Sequence, residues 1–120
     1  MAKNFEEFSE WEGKARAYIA EIDAALGRKE DAIQEGRHTV ELWPMTRDAR
    51  VASEIATLLA VVYMWSGERD AALDQLWQIT NLAGSPTAGD LKLNPIWDDL
   101  RNDPRFEKIV AKAVEPIKLD

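Results

Sequence analysis

From Phe5 onward the apolar side chains fall at Phe8, Trp11, Ala15, Tyr18, Ile19, Ile22, Ala25 and Leu26. Steps of three and four residues place them on one face of a helix, which predicts that this stripe turns inward. Ser9 with Glu12, or Asn4 with Glu7, has the spacing of a capping box at its start. Gly27 ends it, because glycine adopts the left-handed C-cap conformation at little cost. A second helix is predicted from about Lys29 to Leu42, with Ala32, Ile33, Val40 and Trp43 inward and Pro44 as its stop. A third begins near Thr46 or Asp48, carries Val51, Ile55, Leu58, Leu59, Val62 and Tyr63 on one side, and ends at Gly67. A fourth runs from about Arg69 to Leu82 with Ala72, Leu73, Leu76 and Ile79 buried. Ala83–Gly89 (AGSPTAG) reads as loop. Asn94-Pro95 and Asp103-Pro104 each set a capping side chain before a proline suited to the first helical position, so two short helices should follow.

The pattern repeats. LGRKEDAIQEGRHTVELWP (26–44) and SGERDAALDQLWQITNLAG (66–84) align without a gap at a spacing of 40 residues, matching Gly27 with Gly67, Ala32 with Ala72, Ile33 with Leu73 and Leu42 with Leu82. The expected architecture is all-α: a single domain over 1–120 with one helical hairpin at about 5–43, a second at about 46–83, a connection at 83–93 and a C-terminal cap at about 94–115. Ala32 and Ala72 are small where the two helices of one hairpin cross closely.

Composition narrows the function. With 22 acidic against 15 basic residues the formal charge is −7, and the basic residues are scattered among acids. Nucleic-acid binding needs clustered Lys and Arg and is not expected. The absence of cysteine removes disulfides, thiolate zinc sites and cysteine nucleophiles. The longest apolar run, Leu58 to Trp65, is far too short to span a bilayer, so no membrane partner is expected. A cytoplasmic location is expected, with a periplasmic one open if a longer membrane-anchored protein contains this segment.

The repeated stretches resemble the tetratricopeptide (TPR) pattern, a helix-turn-helix of about 34 residues. Leu59-Ala60, Tyr63, Gly67 and Ala72 stand at its characteristic places in the second copy, and Gly27, Ala32, Leu42 and Pro44 in the first. Asp23, Gly36 and Gly84 depart from the pattern, as does the spacing of 40. The tail GDLKLNPIWDDLRNDPRFEKIV (89–110) resembles the closure of many bacterial TPR proteins, in which the array commonly follows an effector domain such as a kinase, a cyclase or a winged helix. The resemblance, which covers about Ala17 to Lys112, implies a right-handed stack of antiparallel hairpins. The tail would then close the stack, Leu91, Leu93, Ile96, Trp97, Leu100 and Phe106 covering the fourth helix while Asp98, Asp99, Arg101 and Arg105 face water.

Chemistry is sparse. His38 is the single histidine, on the outward side of its helix, with ordinary surface neighbours; no metal site or cofactor is expected. The adjacent acids Glu6-Glu7, Glu30-Asp31 and Asp98-Asp99 point about 100° apart on a helix and do not converge. No glycine-rich phosphate loop or serine triad is present, and an enzyme is not expected. Binding is therefore the expected function. In a TPR-like stack, Ala17, Glu21, Glu54, Thr57, Val61, Met64 and Trp65 would line a concave groove for a peptide or protein segment of basic or apolar character. The resemblance excludes the chaperone carboxylate clamp, whose Lys, Asn and Arg are replaced by Ala17, Glu21, Thr57 and Val61. The alternative is self-association, or docking on an upstream repeat of a longer array, through Phe5, Phe8 and Trp11 on the edge of the first helix.

Overall fold

The computed structural model describes residues 10–44 and 47–115. Phe5 and Phe8, and the capping pairs at Asn4 and Ser9, lie outside them. The described residues are all-helical, without a strand: α1 (Glu10–Ala25), α2 (Lys29–Leu42), α3 (Ala49–Trp65), α4 (Arg69–Ile79), α5 (Ala88–Leu93), a 3₁₀ helix (Pro95–Leu100) and α6 (Pro104–Ala113). α1 packs on α2 and α3 on α4 as two hairpins, and α3 also packs on both helices of the first.

Each hairpin turns by the same device. Gly27 (φ +84°) and Gly67 (φ +80°) take the left-handed conformation that a side chain resists. The Gly27 amide donates to Ala24 O (3.1 Å) and the Arg28 amide to Asp23 O (2.8 Å); the Gly67 amide donates to Met64 O (3.2 Å) and the Glu68 amide to Tyr63 O (2.8 Å). These are the two bonds of a Schellman turn, made twice. The start of α3 is set by a side chain: the Asp48 carboxylate accepts from the amides of Arg50 and Val51 at 3.1 and 3.2 Å.

Two departures from the repeat pattern have steric reasons. A Cβ at Gly36 would lie 2.8 Å from Leu59 Cδ1, so α2 and α3 approach closely across that glycine. A Cβ at Gly84 (φ +86°) would lie 2.3 Å from Arg50 O, where the chain leaving α4 crosses the start of α3. Tyr63 is buried between hairpins, and Arg37 Nε of α2 donates to its hydroxyl at 2.8 Å.

The predicted connection at 83–93 contains a helix. Thr87 caps α5 by accepting from the Asp90 amide (3.1 Å), and burial of Leu91 holds it in place. The tail then interlocks. Asp90 accepts from Asn94 Nδ2 and from Trp97 Nε1, each at 3.0 Å, while Arg101 donates to the carbonyls of Leu91 (3.1 Å) and Asn94 (2.6 Å) and pairs with Asp98. Asp103 caps α6, accepting from the Arg105 amide at 2.9 Å. Arg105 bridges Asp103 and Asp70 of α4 (2.8 and 2.9 Å), and its guanidinium holds the Asp103 carboxyl down to about 2. Leu91, Trp97, Leu100 and Phe106 are buried as predicted, in one cluster with Leu73 and Leu76 of α4 and also Val61 and Met64 of α3. Leu93 is a correction: it is 81% exposed, on the side of α5 opposite Leu91.

Candidate functional site

The largest correction concerns α1. Its buried face is Gly13, Ala17, Ala20 and Ala24, small residues that let α2 and α3 come close. The larger apolar stripe points the other way. Trp11 is 78% exposed, Tyr18 54%, Ile19 53%, Ile22 58% and Leu26 64%. They share one helical face, since residues three and four apart are neighbours on a helix.

The repeat sharpens the observation. Forty residues on, the positions of Trp11, Ala15, Ile19 and Ile22 are held by Val51, Ile55, Leu59 and Val62, which are between 0 and 4% exposed. Val51 and Ile55 join Ala17 and Trp43 of the first hairpin in one buried cluster. Positions that serve as packing contacts in α3 are thus presented to solvent in α1. Exposed apolar surface of this extent on one helix marks an interaction site more often than a plain surface.

The residues predicted to form the concave groove do not form an open surface together. Ala17, Val61 and Met64 are 3, 2 and 7% exposed. Ala17 packs with Trp43, Val51 and Ile55, while the C-terminal cap folds over Val61 and Met64. Trp65 is 36% exposed at the end of α3. Glu54 and Thr57 do line a shallow cleft of about 250 Å³, with Lys14 and Tyr18 from α1, Leu58, and the 84–86 segment. Its charges are engaged internally: Lys14 Nζ lies 2.7 Å from Glu54 Oε2, and Arg50 lies 3.0 Å from Glu54 Oε1. Thr57 donates its hydroxyl proton to Ser53 O at 2.7 Å.

Glu21, the seventh member, is half-buried, and its Oε2 has no hydrogen-bond partner among the described residues. Burial raises its carboxyl above the ordinary 4.5. A raised folded-state value means that the associated stability is complete below that ordinary value and is lost as pH rises through the folded one. Glu21→Gln should therefore match wild type in stability near pH 4. Toward pH 7 it should gain about 0.5 kcal/mol, a small figure because solvent screens the half-exposed group. Urea unfolding at both pH values measures this; a variant less stable than wild type at pH 7 would show that the carboxylate is held by favourable contacts.

Other features are local. Lys112 Nζ donates to Trp77 O (2.6 Å) and sits 4.3 Å from the Trp77 ring centroid, covering a half-exposed indole. His38 is exposed on α2. No group of three or more metal-ligating side chains converges among the described residues, and no helix among them is long and apolar enough to cross a membrane. Trp11 of the α1 face is the one described residue of the expected self-association edge, and it is exposed; the rest of the stripe was expected inside because periodicity shows which residues share a face, not which face a neighbour covers. α1 itself held the usable signal: a second stripe of small residues, Gly13, Ala17, Ala20 and Ala24, that fits close helix contact. No protein-family model, curated protein or solved structure matches the chain.

Proposed function

We propose that the chain is a non-enzymatic protein–protein interaction module, TPR-like in build, in which two antiparallel hairpins stack with a right-handed turn and a C-terminal cap closes one end. The observation that carries the reading is the outer face of α1, where five large apolar side chains stand exposed in a chain of net charge −7. Tryptophan and tyrosine anchors with aliphatic neighbours and a charged surround are the composition of interface centres. Burial of Ala17, Val61 and Met64 favours α1 over the expected groove as the docking surface.

Selection from a displayed library of helical peptides tests the reading whatever the natural partner is. Binders selected on wild type should compete with one another and lose at least about 10-fold in affinity on Ile22→Asp, the effect of placing a charge in an interface centre. That substitution is at an exposed position and should leave the helical circular-dichroism signal intact. Binders indifferent to Ile22→Asp would sink the assignment of this face.

A further inference from the structure

Resting on that reading, we propose that the α1 face is covered by a second copy of the same chain, the two α1 helices packing antiparallel about a two-fold axis that passes between Tyr18 and Ile19. The face is self-complementary in this register. Trp11 falls opposite Leu26 of the second copy, Ala15 opposite Ile22, and Tyr18 opposite Ile19, so each large apolar position meets another apolar one. Sliding the helices by one turn breaks the match: in one direction Ile19 meets Lys14, in the other Tyr18 meets Asp23. A two-fold contact uses the same patch on both copies and closes on itself, which a single self-complementary stripe permits.

Charge selects the antiparallel sense. Helical geometry places Lys14 and Glu21 along one flank of the stripe and Arg16 and Asp23 along the other. With the axis between Tyr18 and Ile19, Lys14 comes within two residues along the helix of Glu21 of the second copy. On the other flank Asp23 of the second copy falls between Glu12 and Arg16. Lys14 and Arg16 already lean on Glu54 and Glu35 at 2.7 and 3.4 Å, so each would be shared between two acids. A parallel two-fold pair would instead set one flank against the other, Lys14 near Arg16 and Glu21 near Asp23 of the second copy, base against base and acid against acid. Opposed like charges at an interface suppress the wrong arrangement.

The area suffices. The five side chains together expose roughly 700 Å² at typical side-chain areas, and their flanks bring this near the ~800 Å² per partner of a standard interface. A preceding helical hairpin, packed as the first packs on α3, fits the face less well. Trp11 and Tyr18 stand where α3 carries the smaller Val51 and Leu58, so the close contact that α3 makes with the first hairpin would need larger side chains to be accommodated.

The chain has no cysteine, so introduced thiols report register cleanly. Under mild oxidation Ile19→Cys, next to the axis, should give a covalent dimer. Ala15→Cys mixed with Ile22→Cys should link to each other at least about 10-fold faster than either links to itself, because like positions lie about 10 Å apart along the antiparallel pair, beyond disulfide reach. Light-scattering mass on unmodified protein from about 1 µM to about 500 µM should rise from one chain to two, and Ile22→Asp should weaken the association by at least about 100-fold. Wild type that stays monomeric throughout overturns the proposal. If library binders still compete at α1 in that case, the interaction module stands with another partner, a preceding hairpin among them; if they do not, both readings fall. A dimer indifferent to Ile22→Asp, or efficient self-linking of Ala15→Cys as in a parallel pair, also overturns it.

Discussion

Trp97→Ala is expected to lower stability by about 3–5 kcal/mol, the range for truncating a buried aromatic to alanine. The indole is 2% exposed, and its Nε1 donates to Asp90 Oδ2 at 3.0 Å. Its removal leaves a cavity among Leu91, Leu100 and the α3 and α4 side chains of the same cluster, and strips one partner from the carboxylate that ties α5 to the 3₁₀ helix. Urea unfolding followed by far-UV circular dichroism measures the loss. Trp97→Phe separates the contributions: it keeps most of the packing and forfeits the hydrogen bond, at about 1–2 kcal/mol. A loss under about 1 kcal/mol for Trp97→Ala would show that the cap folds independently of the hairpins.

Gly84→Ala is the second large effect, about 2–4 kcal/mol. Two penalties coincide there: a φ of +86° and a Cβ position 2.3 Å from the Arg50 carbonyl oxygen. Backbone faces backbone, so no rotamer change relieves the contact. Gly27→Ala is the control. It has a φ of +84° with no atom within 4 Å of the added carbon, so only the left-handed strain of about 1 kcal/mol applies. Equal losses at the two positions would show that the 84 segment moves away from α3 freely.

Gly84 marks where sequence legibility ran out. Local signals carried the hairpins well: Gly27, Gly67, Asp48, Asn94 and Asp103 act in the structure as turns and caps where they were expected, because such roles depend on one residue and its own backbone. Burial of the tail residues Trp97, Leu100 and Phe106 was expected from the resemblance of the tail to a repeat closure, with Asn94-Pro95 and Asp103-Pro104 marking the two helix starts. Gly84 read only as a departure from the repeat, since its reason, the Arg50 carbonyl, lies 34 positions earlier in the chain. The burial of three of the candidate groove residues went unforeseen for a related reason. Val61 and Met64 were placed correctly on one face of α3, but whether that face meets solvent depends on where residues 91–106 return, and spacing along α3 contains nothing about that. α5 escaped notice because a six-residue helix containing a glycine has almost no periodic signal.

The cap makes the ends of the molecule chemically unequal. At one end Leu91, Trp97, Leu100 and Phe106 cover the last hairpin, and Asp98, Asp99, Glu107 and Lys108 surround the scattered exposed Leu93 and Val114. At the other, the apolar stripe of α1 stands open. Head-to-tail polymerisation requires a sticky surface and a receptive one on each unit, so that every addition renews the growing tip. Covering one end leaves no continuous apolar stripe there to match that of α1, so growth into a fibre lacks its second surface. An acidic chain can thus display tryptophan, tyrosine, isoleucine and leucine in a row without that row becoming a seed for open-ended aggregation.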